Sequence, residues 1–276
     1  MSAVVLYERT QMKMMKAIDV HAHCGDPKYF SQKGLAKEFL KFDPARMAEE
    51  YAAQQITAAF FSPMEGIFTR DAAELLRANA ETAAMAERYE RFYFWVVVHP
   101  ELPESFAQAG QLLSHPKCVG VKIHPDAGRY DIAEHGEAIF SFCRARQAVL
   151  LTHTGEPGCM PEDFVPFADR YPDVPVILAH LGHSREGRLD HQVLALRSAE
   201  SKNLYIDLSS ASSLLCGLLE WAVGQIGTDR LLFGSDVPLH HLAMMKARVE
   251  GSLLGDTQKE DLLYNNAARL FADKLR

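Results

Sequence analysis

The sequence predicts an α/β fold, a (β/α)8 TIM barrel of parallel strands with a helical C-terminal closure. Three observations carry that expectation. Eight short β-branched or aromatic runs recur along the chain, several apolar throughout, as strands buried on both faces require. Successive runs start roughly 30 residues apart, which leaves room for one crossover helix in each unit. A length of 276 residues is ordinary for such a barrel, and eight units suit a closed barrel better than an open doubly wound sheet.

The runs read AIDVHAH (17–23), ITAAFFSP (56–63), FYFWVVVHP (92–100), CVGVKIHP (118–125), AVLLTHTG (148–155), VPVILAHLG (174–182), NLYIDLSS (203–210) and RLLFGSDVP (230–238). Between them lie helical segments. Asp43 and Pro44 open one with an N-cap and a proline at the first helical position. Leu75, Leu76 and Met85 fill the next, over about 71–90. Ile139, Phe140 and Phe142 belong to another, and Leu189, Val193, Leu194 and Leu196 to a fourth. Leu214, Leu215, Leu218, Leu219 and Ala222 follow helical spacing in a fifth. A capped pattern over 256–271 closes the chain. No linker rich in Gly, Pro or Ser divides the sequence, so one barrel domain is expected over 17–276, after an N-terminal extension, 1–16.

Hydrophobic residues make up 48% of the chain, enough for a large core, and the net charge is -7. That sign argues against nucleic-acid and anionic-membrane partners and leaves a small-molecule substrate open. No run approaches the roughly 18 apolar residues of a membrane span. The short run Ala3 to Leu6 has its charges behind it, where a signal peptide places them in front. Five cysteines without a CxxC pattern read as reduced thiols. The expected location is cytoplasmic.

Almost every run ends in a polar or ionisable residue: His21 and His23, His99, Lys122 and His124, His153, His180, Asp207, Asp236. In a parallel barrel these ends converge on one face, where the loops build a site. His21 and His23 are two apart, so on a strand both side chains point the same way and reach one ion at about 2.0–2.1 Å. A hydrogen-bonded pair at a strand edge is the other reading. His153 ends the fifth run and Asp236 the eighth, which a closed barrel sets beside the first. Three histidines and an aspartate suit a borderline-soft divalent cation such as Zn2+. Asp236 has the alternative reading of a helix N-cap before Pro238, and His153 that of a buried histidine bonded to a carbonyl.

In their order along the chain, HAHCGD, VKIHP, LAHLGH, FGSDVP and the closing NNAARLF resemble the amidohydrolase superfamily. The likeness is to its amidohydrolase-2 branch, which includes aminocarboxymuconate-semialdehyde decarboxylase-like enzymes, and runs from about residue 17 to 272. It implies a barrel with one or two divalent metal ions, Zn2+ or Mn2+, and either hydrolysis or non-oxidative decarboxylation. Carried over residue by residue, His21, His23, His153 and Asp236 match metal ligands. His180 matches a histidine that is a ligand in binuclear members and a substrate-polarising or proton-transfer group in mononuclear ones. Lys122 stands where some members carry a carboxylated bridging lysine; contact with a substrate carboxylate is its alternative role.

From that ligand set follows a metallohydrolase of a small organic substrate, in which a metal-bound water attacks an amide, ester or lactone. The cation brings its water's pKa to about 7, Asp236 takes the water's proton, and His180 stabilises charge on the substrate oxygen. A decarboxylase using the same parts is the alternative, and a barrel that binds a ligand without turnover is a third reading. Lys122, His124, His183 and Arg129 are candidate substrate contacts, Arg129 together with Tyr130. His240 and His241 fall on the same presumed face. His99 and His124 precede prolines, so each lines the pocket or caps a turn. Asp207 orients a ligand histidine or caps the next segment. Cys24 points to the strand face opposite His23, and the long stretch 25–42 reads as a loop that closes over the site or as a surface excursion. Homo-oligomerisation is expected by analogy with other barrel enzymes alone.

Overall fold

The alternation of apolar runs and amphipathic segments becomes eight strands, each followed by helix. The computed structural model describes residues 14–29 and 33–275. Its strands are β1 (Ala17–Cys24), β2 (Ile56–Pro63), β3 (Phe92–Val97), β4 (Cys118–Ile123), β5 (Val149–Thr152), β6 (Val176–Leu178), β7 (Leu204–Asp207) and β8 (Leu231–Leu232). They pair in parallel in chain order. Past β8 the chain turns back onto β1: the Val20 amide donates to Phe233 O at 3.0 Å and the His23 amide to Val237 O at 2.7 Å. The architecture is a (β/α)8 TIM barrel.

Two apolar layers hold it. Inside the barrel lie Ile18, Val20, Phe60, Trp95, Leu151, Ile177 and Leu232. Phe271 of the C-terminal closure plugs this interior, edge-on to Phe60 at 4.9 Å and to Trp95 at 5.8 Å. The outer layer joins the backs of the strands to the helices, with Phe61, Phe92 and Tyr51 meeting edge to face. Burying a large apolar side chain of this kind contributes about 1.5–3 kcal/mol.

Two register shifts aim the functional side chains. Asp19 pairs with Ala59, yet Ala22 pairs with Phe61, so β1 carries one extra residue between them. Below that bulge Ile18 and Val20 face inward; above it Ala22 and Cys24 join the outer layer, and His21 and His23 turn in. β4 repeats the device where Phe94 and Trp95 pair with Cys118 and Gly120, which brings Lys122 to the interior. Glycine is required there, because a Cβ on Gly120 would lie 2.3 Å from Val149 O.

The expected helix start at Asp43 is observed: its carboxylate accepts from the amides of Ala45 (3.0 Å) and Arg46 (3.2 Å) and caps Pro44–Ala53. Ala72–Arg88 and Ile132–Ala145 also match expectation. Leu189 precedes its helix, His191–Ser198, rather than lying within it. Leu214 and Leu215 likewise fall before Leu218–Ile226, since Gly217 takes a left-handed conformation that starts the helix late; Leu215 is 49% exposed. Residues 256–271 divide into Asp256–Glu260, a wider-turned Asp261–Asn265 and Asn266–Leu270. Of the expected extension 1–16, only 14–16 fall among the described residues; there the Met15 amide donates to Glu250 at 2.9 Å. No described helix is long and apolar enough to cross a membrane.

Candidate active site

The strand ends converge as the barrel requires. His21 Nε2 and His23 Nε2 approach to 3.3 Å, and Asp236 Oδ1 lies 3.0 Å from the second and 3.7 Å from the first. All three residues are buried. Their ligand-capable atoms lie within 4.8 Å of one another. Asp236 reaches this point from a left-handed backbone conformation, φ 60°, and His180 enters at φ 75°.

The hydrogen bonds behind the His21 and His180 rings settle where their protons lie. Asp207 Oδ2 lies 2.8 Å from His21 Nδ1; a carboxylate only accepts, so Nδ1 carries the proton and Nε2 offers a lone pair to the centre. Ser209 Oγ contacts Asp207 Oδ1 and sits 2.7 Å from His180 Nδ1. Its single proton goes to the carboxylate, so His180 Nδ1–H donates to Ser209 and Nε2 is left bare. His23 Nδ1 is held by Ser62 Oγ at 2.9 Å. Burial, then His21, His153 and Lys122, push His180 well below its ordinary range, so it is neutral. Burial and the Lys122 charge lower His21 against the pull of Asp207. Burial alone would raise Asp207, but the His21 charge and the bonds from His21, Ser209 and the His180 amide hold it low.

The result is a cluster in which the lone pairs of His21 Nε2, His180 Nε2 and Asp236 Oδ1 face one another, with His23 Nε2 among them. Asp236 Oδ1 is buried and accepts no hydrogen bond despite its proximity to His23. An unpaired buried carboxylate oxygen is costly, and a divalent cation is the partner that two imidazole lone pairs and a carboxylate would share. The residues therefore fit the metal the sequence implies. The positive group nearby is Lys122, fully buried, with Nζ 3.1 Å from His21 Nε2. Burial lowers its pKa to about 8, partly offset by Asp207 and Asp236.

These side chains line one face of a cavity of about 90 Å³, with His124, His153 and His180 beside them. The other face is apolar: Met64, Ile67 and Phe68 of the short helix Met64–Phe68, and Leu239. His153 lines this cavity but its ligand atoms group with Glu156 and His183 rather than with the trio. Its ring stacks on His124, centroids 3.9 Å apart and 8° from parallel. His124 serves in both of its expected roles, since Nδ1 also accepts from the Ala127 amide at 3.2 Å and caps the turn; the proton of the neutral ring is then on Nε2.

Other expected residues fall away from the cavity. His99 uses both ring nitrogens on backbone, Glu101 N at 3.2 Å and Gly128 O at 3.0 Å, and is a turn cap. Arg129 is exposed at the end of Pro125–Gly128 and does not line the cavity. His183 faces Glu156 at 3.2 Å, 5.5 Å ring to ring from His153. His240 Nε2 lies 3.7 Å from Asp236 Oδ2 but opens, with His241, into a separate surface cavity. Cys24 sits behind β1 against Thr82, its thiol pushed by burial to about 12. From the stretch 25–42, Tyr29 stacks on Phe68 at 6.1 Å; Lys28, Tyr29 and Thr69 all donate to Glu74, which latches this segment beside the cavity wall.

Sequence reasoning missed Ser62, Ser209, Asp19 and the helix Met64–Phe68. Ser209 had a signal: it follows Asp207 by two, on the same face of the strand end. Ser62 and the helix Met64–Phe68 had none beyond their place after a strand.

A family model described as amidohydrolase matches residues 18–272. No curated protein sequence matches the chain. Among solved structures, 2,6-dihydroxybenzoate decarboxylase from Rhizobium is similar at a TM-score of 0.75 and 16% identity, over 94% of this chain and 99% of that one. A dihydroxybenzoic acid decarboxylase from Polaromonas, solved with bound manganese and an inhibitor, gives 0.72 and 15%, over 94% and 97%. 5-Carboxyvanillate decarboxylase from Sphingomonas paucimobilis gives 0.74 and 14%, over 93% and 99%.

Proposed function

The chain belongs to the amidohydrolase family, and from that premise we propose that it is a metal-dependent, non-oxidative decarboxylase of a small carboxylic acid, with an aromatic acid as the best-fitting class. The sequence alone favoured hydrolysis; the cavity favours its alternative. The observation that carries this reading is the cavity's division into a lone-pair-rich face and an apolar wall. A flat ring fits against Met64, Ile67 and Phe68, with its polar edge turned to the histidines. His180, neutral and with Nε2 bare, does not donate to a developing oxyanion, the task hydrolysis sets it. It accepts a hydrogen bond from a substrate hydroxyl instead.

His21, His23 and Asp236 would hold the cation, Mn2+ or Zn2+, with His153 completing the set from across the cavity. Bound there, a divalent ion supplies a Lewis-acidic centre for a carboxylate or hydroxyl oxygen. Lys122 Nζ and His124 Nε2–H are the donors on this face, and both suit the oxygens of an acid. The apolar wall withdraws the carboxylate from water, which favours its conversion to neutral CO2. As the bond between the carboxyl carbon and its neighbour breaks, the electron pair stays on that neighbour, CO2 departs, and the carbon takes the proton that Asp236 has first accepted from the acid form of the substrate, which leaves Asp236 a carboxylate again. That structurally similar proteins carry the names of aromatic-acid decarboxylases supports the reading.

The test is product analysis. Full-length protein supplied with Mn2+ is offered hydroxybenzoic acids alongside aryl esters and lactones. Release of CO2 from an acid, with the esters and lactones untouched, is expected. Hydrolysis without CO2 would return the hydrolase.

A further inference from the structure

We infer that Asp19 is a positioning residue of the metal centre, acting through the backbone of His21 and Ser235 to set the distance between the His21–His23 pair and Asp236. The inference rests on the metal reading above.

Asp19 is fully buried on the outer face of β1, in the layer that Ala17 and Ala22 share. A carboxylate in such a place is costly unless all of its lone pairs are used. Here they are. Oδ1 accepts the amides of His21 (3.2 Å) and Ser235 (2.9 Å); Oδ2 accepts Tyr51 Oη (2.9 Å) and Ser235 Oγ (2.5 Å). The donors come from β1, from the segment after β8 and from the helix Pro44–Ala53.

The location gives these bonds their meaning. The extra residue of β1 falls between Asp19 and Ala22, so the ladder is interrupted where His21 must turn inward. On the other side, Ser235 leads directly into Asp236, whose left-handed backbone is unfavourable for a residue with a Cβ and persists only when its surroundings hold it. Two ties hold it: the Asp236 amide donates to His21 O at 2.8 Å, and Ser235 is bound by side chain and amide to Asp19. One carboxylate therefore clamps both strands that bear the trio, directly beneath it. An apolar residue would fill the space but leave the His21 amide without its acceptor and the Ser235 amide with only its longer bond to His21 O, 3.2 Å, at the point where a few tenths of an ångström decide ligand geometry.

The test uses full-length protein stripped by chelator and titrated with Mn2+ alone, beside thermal unfolding of the metal-free form. Asp19→Asn is expected to raise the Mn2+ Kd about 10–100-fold, the range seen when partners that orient ligands are removed. Ser235→Ala, which keeps the amide bond and loses the hydroxyl, raises it less, and it carries the test should Asp19→Asn not fold. A merely structural role predicts a lower Tm of the metal-free protein with Kd at the wild-type value in whichever variant folds, and that result overturns the inference. A wild-type chain that binds no Mn2+ overturns the metal reading itself, and the inference with it.

Discussion

The interior of the barrel obeys opposite rules at its two ends, although the same strands build both. Toward the N-terminal end, Phe60, Trp95 and Leu232 lie under Phe271, apolar atoms against apolar atoms. Toward the C-terminal end, one turn of strand higher, the interior is His21, His23, Lys122, His180 and Asp236, with a buried carboxylate oxygen that accepts nothing. The lower half holds the fold together. The upper half is held by it, in a state that no free choice of partners would reach. The bulges in β1 and β4 make the change of rule, since without an extra residue each strand would continue the alternation that points Ile18 and Val20 inward. The proposed site lies where the fold is least self-satisfied.

Substitutions that separate stability from activity test that contrast. Asp236→Asn should have the largest effect: turnover falls about 10²–10⁴-fold with loss of the proton carrier. The metal-free protein should unfold at a temperature no lower than wild type, because an unpaired buried charge has been removed. A lower Tm would mean that Asp236 supports the fold. Phe271→Ala is the converse. It should cost about 3–5 kcal/mol in denaturant unfolding while Mn2+ affinity, measured on the folded fraction, stays at the wild-type value. Ser209→Ala frees His180 to exchange tautomers and should lower kcat about 10–100-fold, with a smaller change in KM; unchanged kcat would remove the tautomer from the mechanism.

The smallest effect concerns the latch at Glu74. Lys28, Thr69 and Tyr29 hold its carboxyl down to about 2, from an ordinary value of 4.5. Because the folded value is depressed, the stabilisation is fully present above about pH 4.5 and is lost as pH falls from there to about 2. Glu74→Gln should therefore lower stability by about 1 kcal/mol or less at pH 7, and the gap from wild type should close across that acid window in thermal scans. A gap that widens on acidification would contradict the sign.

All eight strands were legible because β-branched and aromatic runs buried on both faces leave an unbroken apolar signature. Their C-terminal limits were not. VPVILAHLG was expected as strand over 174–182, yet β6 stops at Leu178, and RLLFGSDVP shrinks to Leu231–Leu232. His180 and Asp236 take left-handed conformations that an extended ladder cannot accommodate, so the strand pattern stops before the residues proposed for the chemistry. The convergence of His21, His23 and Asp236 was readable from spacing and from barrel closure. Asp19 was not read, although it stands in a run otherwise apolar below the histidines, where a lone carboxylate must find donors. The apolar wall was missed because Met64–Phe68 is a single short helix following a strand without a turn signal. Arg129 was proposed from its place after β4, but its left-handed cap position turns it to solvent.

The most direct measurement is elemental analysis of the full-length protein purified without chelator, beside His23→Ala purified in the same way. One equivalent of manganese or zinc per chain, lost in the variant, is the result expected of a trio built to share a cation. Protein that carries no divalent metal and takes up none when it is added would contradict the central claim.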